Sequence, residues 1–206
     1  MLSAQSLACR RGRRLLFRGL ELRLSPGSIH CLRGPNGGGK TSLLRILAGL
    51  SRPAEGQVLW NDAPLDARSR AGIVYIGHAN ALKDDLSLGE ALDFLGRLGG
   101  QGGDCEGALA RLGLASRRQA PVRTLSQGQR RRGALARLAL DEGGSAARCW
   151  LLDEPYEALD AASAAALSAL IEAHAARGGA VLLASHQPLT LAGAREIDLQ
   201  RWSALA

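Results

Sequence analysis

The stretch Gly34-Pro35-Asn36-Gly37-Gly38-Gly39-Lys40-Thr41 decides how this chain folds. It fits the pattern G-x-x-x-x-G-K-[ST] at every position, and each residue type has a mechanical reason to be there. Glycines let the backbone turn so that successive N–H groups face phosphate oxygens, and the helix that follows adds the positive end of its dipole. Lys40 reaches toward β- and γ-phosphates, the Thr41 hydroxyl offers an oxygen to Mg²⁺, and Ser42 completes the phosphate-binding turn. Working outward, Ser28-Ile29-His30-Cys31-Leu32 reads as the strand entering the loop, and Leu43, Leu44, Ile46 and Leu47 read as the buried stripe of the exiting helix. Of the 26 basic residues only Lys40 and Lys83 are lysines, so a compact ammonium is kept where a planar guanidinium fits poorly. A chance glycine-rich turn would need neither that strand nor that helix.

Three further stretches follow in fixed order. Asp153-Glu154 comes straight after Cys149-Trp150-Leu151-Leu152, an apolar run suited to a strand buried on both faces of a parallel sheet. Asp153 is then placed to bind Mg²⁺ through water, and Glu154 to take a proton from the water attacking a γ-phosphate. A surface acid pair beside a helix start is the plain alternative. Leu125-Ser126-Gln127-Gly128-Gln129 is a polar loop opening a helix, where Ser126 and the N–H groups near Gly128 and Gln129 can grip a γ-phosphate. Ser126 as an ordinary N-cap explains the same residues. A cradle that already holds Lys40, Thr41, Asp153 and Glu154 leaves this loop to serve a second copy of the chain. Last, Ser185-His186-Gln187 follows the apolar run Val181-Leu182-Leu183-Ala184, which reads as another strand.

This ordered set resembles the nucleotide-binding domain of ATP-binding cassette (ABC) proteins over nearly the whole chain. The resemblance implies an α/β P-loop NTPase fold with a mainly parallel core sheet, a small antiparallel β subdomain and a helical subdomain at about 88–140, all in one domain spanning 1–206. It implies ATP and Mg²⁺ as ligands, Glu154 as catalytic base, Lys40 and His186 at the γ-phosphate, and Asp160 in the loop Ala158-Leu159-Asp160 at the nucleotide. It also implies a homodimer that sandwiches two ATP molecules head to tail.

Two departures from the family pattern stand out. His78, in Ile73-Val74-Tyr75-Ile76-Gly77-His78, occupies the position of the usual glutamine, so a metal contact there comes from an imidazole or from nothing. Near the N-terminus, where an aromatic usually stacks on adenine, stand Cys9-Arg10-Arg11-Gly12, and adenine is left to a guanidinium plane or to little at all.

With Gly77-His78, the stretches Leu15-Leu16-Phe17-Arg18-Gly19-Leu20, Thr41 to Leu50, Gly128-Gln129-Arg130-Arg131-Arg132 and Ser185 to Leu189 are similar to the ATP-binding subunits of the bacterial cytochrome c biogenesis system, the CcmA family. That similarity implies a peripheral subunit at the cytoplasmic face of the inner membrane, held by an integral membrane partner like CcmB, with CcmC and CcmD. Its ATP cycle would serve haem export or release of the haem-loaded chaperone, with haem contacted by the partners. Another small-substrate ABC exporter is the alternative, as is a soluble ABC ATPase acting on nucleic acid.

Composition bears on these readings. At 206 residues and 46% hydrophobic content the chain suits one ATPase domain, with no room for a second cassette or a coiled coil. No run approaches about 18 apolar residues, and Met1-Leu2-Ser3-Ala4-Gln5 is not expected to act as an export signal. The net charge of +7, with Arg10, Arg11, Arg13, Arg14 and Arg18 close together, invites nucleic acid. Only 3% of residues are aromatic, so stacking platforms are sparse and a solvated basic face is the better account. Cys9, Cys31, Cys105 and Cys149 are scattered and read as reduced thiols. Ala91, Leu92, Leu95 and Leu98, then Leu109, Leu112 and Leu114, recur at helical spacing, interrupted by a flexible tip at Gly99 to Asp104. Leu167, Leu170, Ile171 and His174 share one face of a helix that stops at Gly178-Gly179, with His174 in the core or half-buried and not a ligand.

Overall fold

The computed structural model describes residues 1–100, 103–143, 148–186 and 191–203. The chain divides into two compact units, one formed by Met1–Gly77, Ala147–Glu154 and Ala175–Ala206, the other by His78–Ala146 and Pro155–His174.

In the first unit, β1 (Leu2–Arg11) and β2 (Arg14–Leu24) pair antiparallel as a hairpin. Further along come β3 (Ile29–Arg33), α1 (Lys40–Leu47), β4 (Glu55–Trp60), β5 (Ala63–Pro64) and β6 (Ile73–Ile76). A four-stranded antiparallel sheet runs in the order β2-β1-β4-β5. Its register shifts between Gln5 and Ala8, where Ser6 adopts φ 48°. Gly56 faces that bulge with φ 80°, and a Cβ there would collide with the Gln5 and Ser6 backbone, so only glycine fits. In the sequence, Ala71 to Ile76 reads as a core strand, but the strand begins at Ile73. Ser69–Gly72 forms a 3-10 turn, whose Ser69 N–H donates to the Asp66 carboxylate at 2.7 Å.

The second sheet adds β7 (Cys149–Asp153), β8 (Ala180–Ala184) and β9 (Arg195–Asp198), in the parallel order β6-β7-β8-β3-β9. Every residue of β7 and β8 is buried, which explains why these strands read as unbroken apolar runs and not as alternating ones. One core joins both sheets to α1: Phe17 and Leu24 from the hairpin meet Leu43, Leu44 and Leu47 of the helix, and Leu151 and Leu182 of the parallel strands. Because the parallel strands run the same way, β3, β7 and β8 all deliver their C-terminal ends to one edge of the sheet, where ligands of open α/β sheets bind.

The second unit contains the segment expected as a helical lobe and extends past it. Its helices are α2 (Leu88–Leu98), α3 (Cys105–Arg111), α4 (Gln127–Leu135) and most of α5 (Ala161–Ala176). Three of them start on side-chain caps: Ser87 with Glu90, Asp104, and Ser126 with Gln129. Leu88, Leu92, Leu109, Leu112 and Leu114 are buried, as their spacing predicts. Leu98 departs from that expectation at 73% exposure: α2 ends there, and among the described residues nothing covers its side chain. Gln101 and Gly102, in the expected tip, lie outside the described residues.

His174 is buried, with Leu167, Leu170 and Ile171, in agreement with a core role. Among the described residues no helix is long and apolar enough to cross a membrane, and no group of His, Cys, Asp and Glu could alone hold a metal. Cys9, Cys31, Cys105 and Cys149 are free thiols, and Arg10, Arg11, Arg13, Arg14 and Arg18 are exposed.

Candidate nucleotide site

α1 opens without a side-chain cap. Its N-cap is Gly39 at φ 103°, a conformation that suits glycine and leaves the first-turn N–H groups of the helix to a ligand. A Cβ on Gly39 would also press on Leu16 and Phe17, so hairpin and loop approach closely at this point. The loop is braced from within, Gly38 N–H donating to the Pro35 carbonyl at 3.1 Å. From outside, Leu199 of the 3-10 turn Leu199–Trp202 lies against Gly34.

Lys40 is 7% exposed and donates from Nζ to the Gly34 carbonyl at 2.7 Å and the Pro35 carbonyl at 3.2 Å. Burial lowers its pKa, while the carboxylates of Glu154 and Asp153 pull the other way. The ammonium is thus held by two neutral carbonyl acceptors beside two carboxylates.

Asp153, the last residue of β7, is buried. Glu154 follows with φ 47°, left-handed backbone that costs a non-glycine residue about 1–2 kcal/mol. The turn is held by the Glu154 N–H, which donates to the Ala184 carbonyl at 3.0 Å. The Glu154 carboxylate accepts from the His186 N–H at 3.2 Å, and its other oxygen lies 3.2 Å from His186 Nε2. Such strain concentrates where a side chain must be aimed. Arg33, at the end of β3, fastens the same region: its Nη1 donates to the Ser185 carbonyl at 2.6 Å and its Nε to Glu196 at 3.0 Å.

These groups border one cavity of about 200 Å³, lined by Pro35, Asn36, Gly37, Gly39, Lys40, Thr41, Ser42, Asp153, Glu154 and His186, with Arg11 and Leu16 at its hairpin side. Gly34 contributes its carbonyl to Lys40, and Gly38 lines a neighbouring cavity beside Leu199. The Ser42 hydroxyl hydrogen-bonds the Cys9 thiol, whose pKa burial raises. Gln187, Pro188 and Leu189 lie outside the described residues.

The remaining sequence-predicted residues belong to the second unit. Ser126 Oγ accepts from the Gln129 N–H at 3.2 Å, and the Gln129 side chain accepts from the Ser126 N–H at 2.9 Å. Their side chains therefore hold the first turn of α4, and Gly128 packs so near the Ala158 carbonyl that a Cβ would stand 3.0 Å from it. Asp160 accepts from the Ser163 N–H at 2.8 Å, and these serine contacts hold its carboxyl below the usual range. His78 Nδ1 lies 3.0 Å from the Glu157 carboxylate, so any metal contact it makes falls to Nε2. Sequence reasoning missed Arg33 and Glu157. Arg33 was signalled only by a cation between an apolar strand and the glycine loop, and Glu157 by nothing stronger than its nearness to Glu154.

Comparison with known proteins matches residues 17–157 to the ABC transporter family. The chain is 49% identical to the "Cytochrome c biogenesis ATP-binding export protein CcmA" of Aromatoleum aromaticum, over 91% of this chain and 89% of that one. It is 46% identical to the "Cytochrome c biogenesis ATP-binding export protein CcmA 2" of Cupriavidus metallidurans, over 94% and 93%. Among solved structures, the dimeric ATP-binding cassette MJ0796, in a post-hydrolysis state bound to ADP and Pi, superimposes with a TM-score of 0.76 at 22% identity, over 91% of this chain and 88% of that one, and so shares the fold. A complete phosphate loop, an acid pair at the end of the neighbouring strand and these relatives place the chain in the ABC transporter family and, within it, in the CcmA family of cytochrome c biogenesis ATP-binding export proteins.

Proposed function

We propose that this chain is the ATP-hydrolysing subunit of an ABC transporter-type complex of cytochrome c biogenesis, whose turnover drives haem export or release of a haem-loaded chaperone. The observation that carries the reading is the convergence of Lys40, Thr41, Asp153, Glu154 and His186 on one cavity at the start of α1. The two compact units then form the catalytic core and helical lobe of a single ATP-binding domain over 1–206.

In this reading the N–H groups of Gly37, Gly39, Lys40 and Thr41 receive the phosphates, and the Lys40 ammonium leaves the Gly34 and Pro35 carbonyls for the β- and γ-oxygens. The Thr41 hydroxyl and the Asp153 carboxylate are a hard, all-oxygen donor pair bordering the same cavity, which fits Mg²⁺ with water and phosphate oxygens filling its other positions. When bound, the ion neutralises charge on the β- and γ-phosphates. Glu154, aimed by its left-handed backbone, accepts the proton of the attacking water, and His186 orients that carboxylate and meets the γ-phosphate. Arg11 offers adenine a guanidinium plane at the hairpin side.

Ser126, Gly128, Gln129 and Asp160 act in trans, on the nucleotide of a second copy. The support is that the capping box leaves the outer side of the Ser126–Gln129 turn exposed, and that the similar cassette MJ0796 is dimeric. A CcmB-like integral membrane protein, with CcmC and CcmD, would hold the dimer at the cytoplasmic face of the inner membrane, with haem bound by those partners.

Replacing Glu154 by Gln keeps size and hydrogen bonding but removes the base. Phosphate release should fall at least about 100-fold while ATP still binds, whereas Lys40→Ala should weaken ATP binding itself by roughly tenfold or more. Normal turnover in Glu154→Gln would remove Glu154 as the base. Co-purification of the tagged chain with a polytopic membrane protein and cytochrome c assembly proteins tests the assignment; recovery with ribosomes or DNA instead would overturn it.

A further inference from the structure

A second cavity, of about 290 Å³, opens at the entry end of β3, the end away from Gly34. His30 on β3 and Arg195 on β9 are partners in the parallel ladder, so their side chains stand on the same face of the sheet. Arg23, near the end of β2, borders the cavity from another strand, and Ser25 to Ser28 close it below. That loop is tied down: Ser28 donates to the Ser25 carbonyl from its N–H at 3.1 Å and its hydroxyl at 2.6 Å, and Gly27 N–H donates to the Gly179 carbonyl at 2.8 Å. The floor of the cavity is therefore fixed, and the exposed side chains of Arg23 and Arg195 border it from β2 and β9.

The chemistry of the lining is one-sided. Among the described residues, two guanidinium groups and an imidazole border the cavity, and no carboxylate does. His30 Nδ1 is buried with no hydrogen-bond partner among the described residues. Burial, and then the Arg195 charge, push the imidazole below its ordinary range, so the ring is neutral at pH 7. Unbalanced positive charge around a concave site costs free energy through self-repulsion and attracts a counter-ion. A planar carboxylate satisfies a single guanidinium fork, whereas a tetrahedral oxyanion presents oxygens in several directions and meets donors arriving from β2 and β9 together, with the His30 imidazole beside them.

We propose that this cavity is a binding site for a phosphate-class oxyanion, held by Arg23 and Arg195 beside His30, on the far side of β3 from the nucleotide loop. The anion is either free in solution or the phosphate of an anionic lipid headgroup. The site is independent of the ATPase reading, since no residue of the nucleotide cavity contributes to it.

Full-length protein saturated with ADP and Mg²⁺, so that the nucleotide loop is filled, is titrated with inorganic phosphate while the histidine imidazole resonances are followed by NMR, His30 being assigned with His30→Gln. A saturable movement of the His30 signal is expected, weakened about tenfold by Arg195→Ala and by Arg23→Ala, each change removing one charge-assisted pair. Retained ADP binding in both variants shows that they are folded. A His30 signal that does not respond to phosphate, or that responds alike in both variants, overturns the proposal. Flotation with vesicles of phosphatidylglycerol in phosphatidylcholine separates the sources: vesicle binding lost in Arg195→Ala assigns the site to a headgroup, and phosphate binding without vesicle binding assigns it to a soluble anion.

Discussion

Arg33 shows how a side chain outside the cavity governs the residues within it. Its guanidinium spans from β3 to the Ser185 carbonyl and so fixes the segment that carries His186, whose backbone N–H and ring both meet Glu154. Removing it leaves the phosphate loop intact but loosens His186, the residue we propose to orient Glu154 as base. Arg33→Ala should therefore lower kcat about 10-fold or more while changing nucleotide affinity little. Steady-state phosphate release together with a fluorescent-nucleotide Kd tests the split, and parallel losses in both would mean that Arg33 supports the whole cavity. At this scale the sequence was legible where a side chain's role is local. Lys40, Thr41, Asp153 and Glu154 are set by their distance from strand or helix ends. Arg33 was not, because its partners Ser185 and Glu196 are brought beside it only by the order of the strands, which no local pattern encodes.

At the scale of the element, the start of α4 carries two roles in one set of residues. Ser126 and Gln129 form a reciprocal cap, so Ser126→Ala should cost about 1 kcal/mol of stability through the lost helix start. Ser126→Arg adds bulk and charge at the same turn. If this loop serves a second copy, the arginine variant in a Glu154→Gln background should bind ATP as a monomer and fail to dimerise, and Ser126→Ala should still dimerise. Analytical ultracentrifugation with and without ATP distinguishes them; a dimer in the arginine variant would place the contact elsewhere. Both readings of Leu125 to Gln129 were open in the sequence, and the capping half is visible in the hydrogen bonds. Element boundaries were less legible. Ala71 and Gly72 carry no signal against a strand, yet the Asp66–Ser69 contact winds them into a 3-10 turn that ends only at Ile73. Leu98 keeps the apolar period of α2, but periodicity reports which face a residue is on and not whether a neighbour covers it.

Across the whole molecule, the parallel strands β7 and β8 are dry on both faces, and thiol reactivity reads this directly. Burial pushes the Cys149 pKa up to about 12 and raises Cys9, Cys31 and Cys105 as well, but Cys105, at the start of α3, is half-exposed where the other three are buried. Because a reagent must reach the thiolate to react with it, native protein should lose one thiol, Cys105, to an alkylating reagent at pH 8, and the other three only on unfolding. Rapid labelling of Cys149 in native protein would mean that the sheet opens. The parallel order itself was foreshadowed by unbroken apolar runs at Cys149 to Leu152 and Val181 to Ala184, which need two covered faces. Leu2 to Gly27 and Gly56 to Trp60 read in the sequence as antiparallel strands, but the bulge at Ser6 is not visible there: it answers to Gly56, fifty residues away.

The backbone at Glu154 carries a last consequence. Its left-handed turn is a shape that glycine or asparagine would adopt with less strain, so the position is better suited, as a matter of folding alone, to residues that cannot act as a base. Among sequences drifting without demand for turnover, this is where the acid should be surrendered early, with a gain in stability. If Glu154 is the base we propose, an intact glutamate here is a record of use: the chain keeps, at a left-handed corner, a residue that its own architecture would discard.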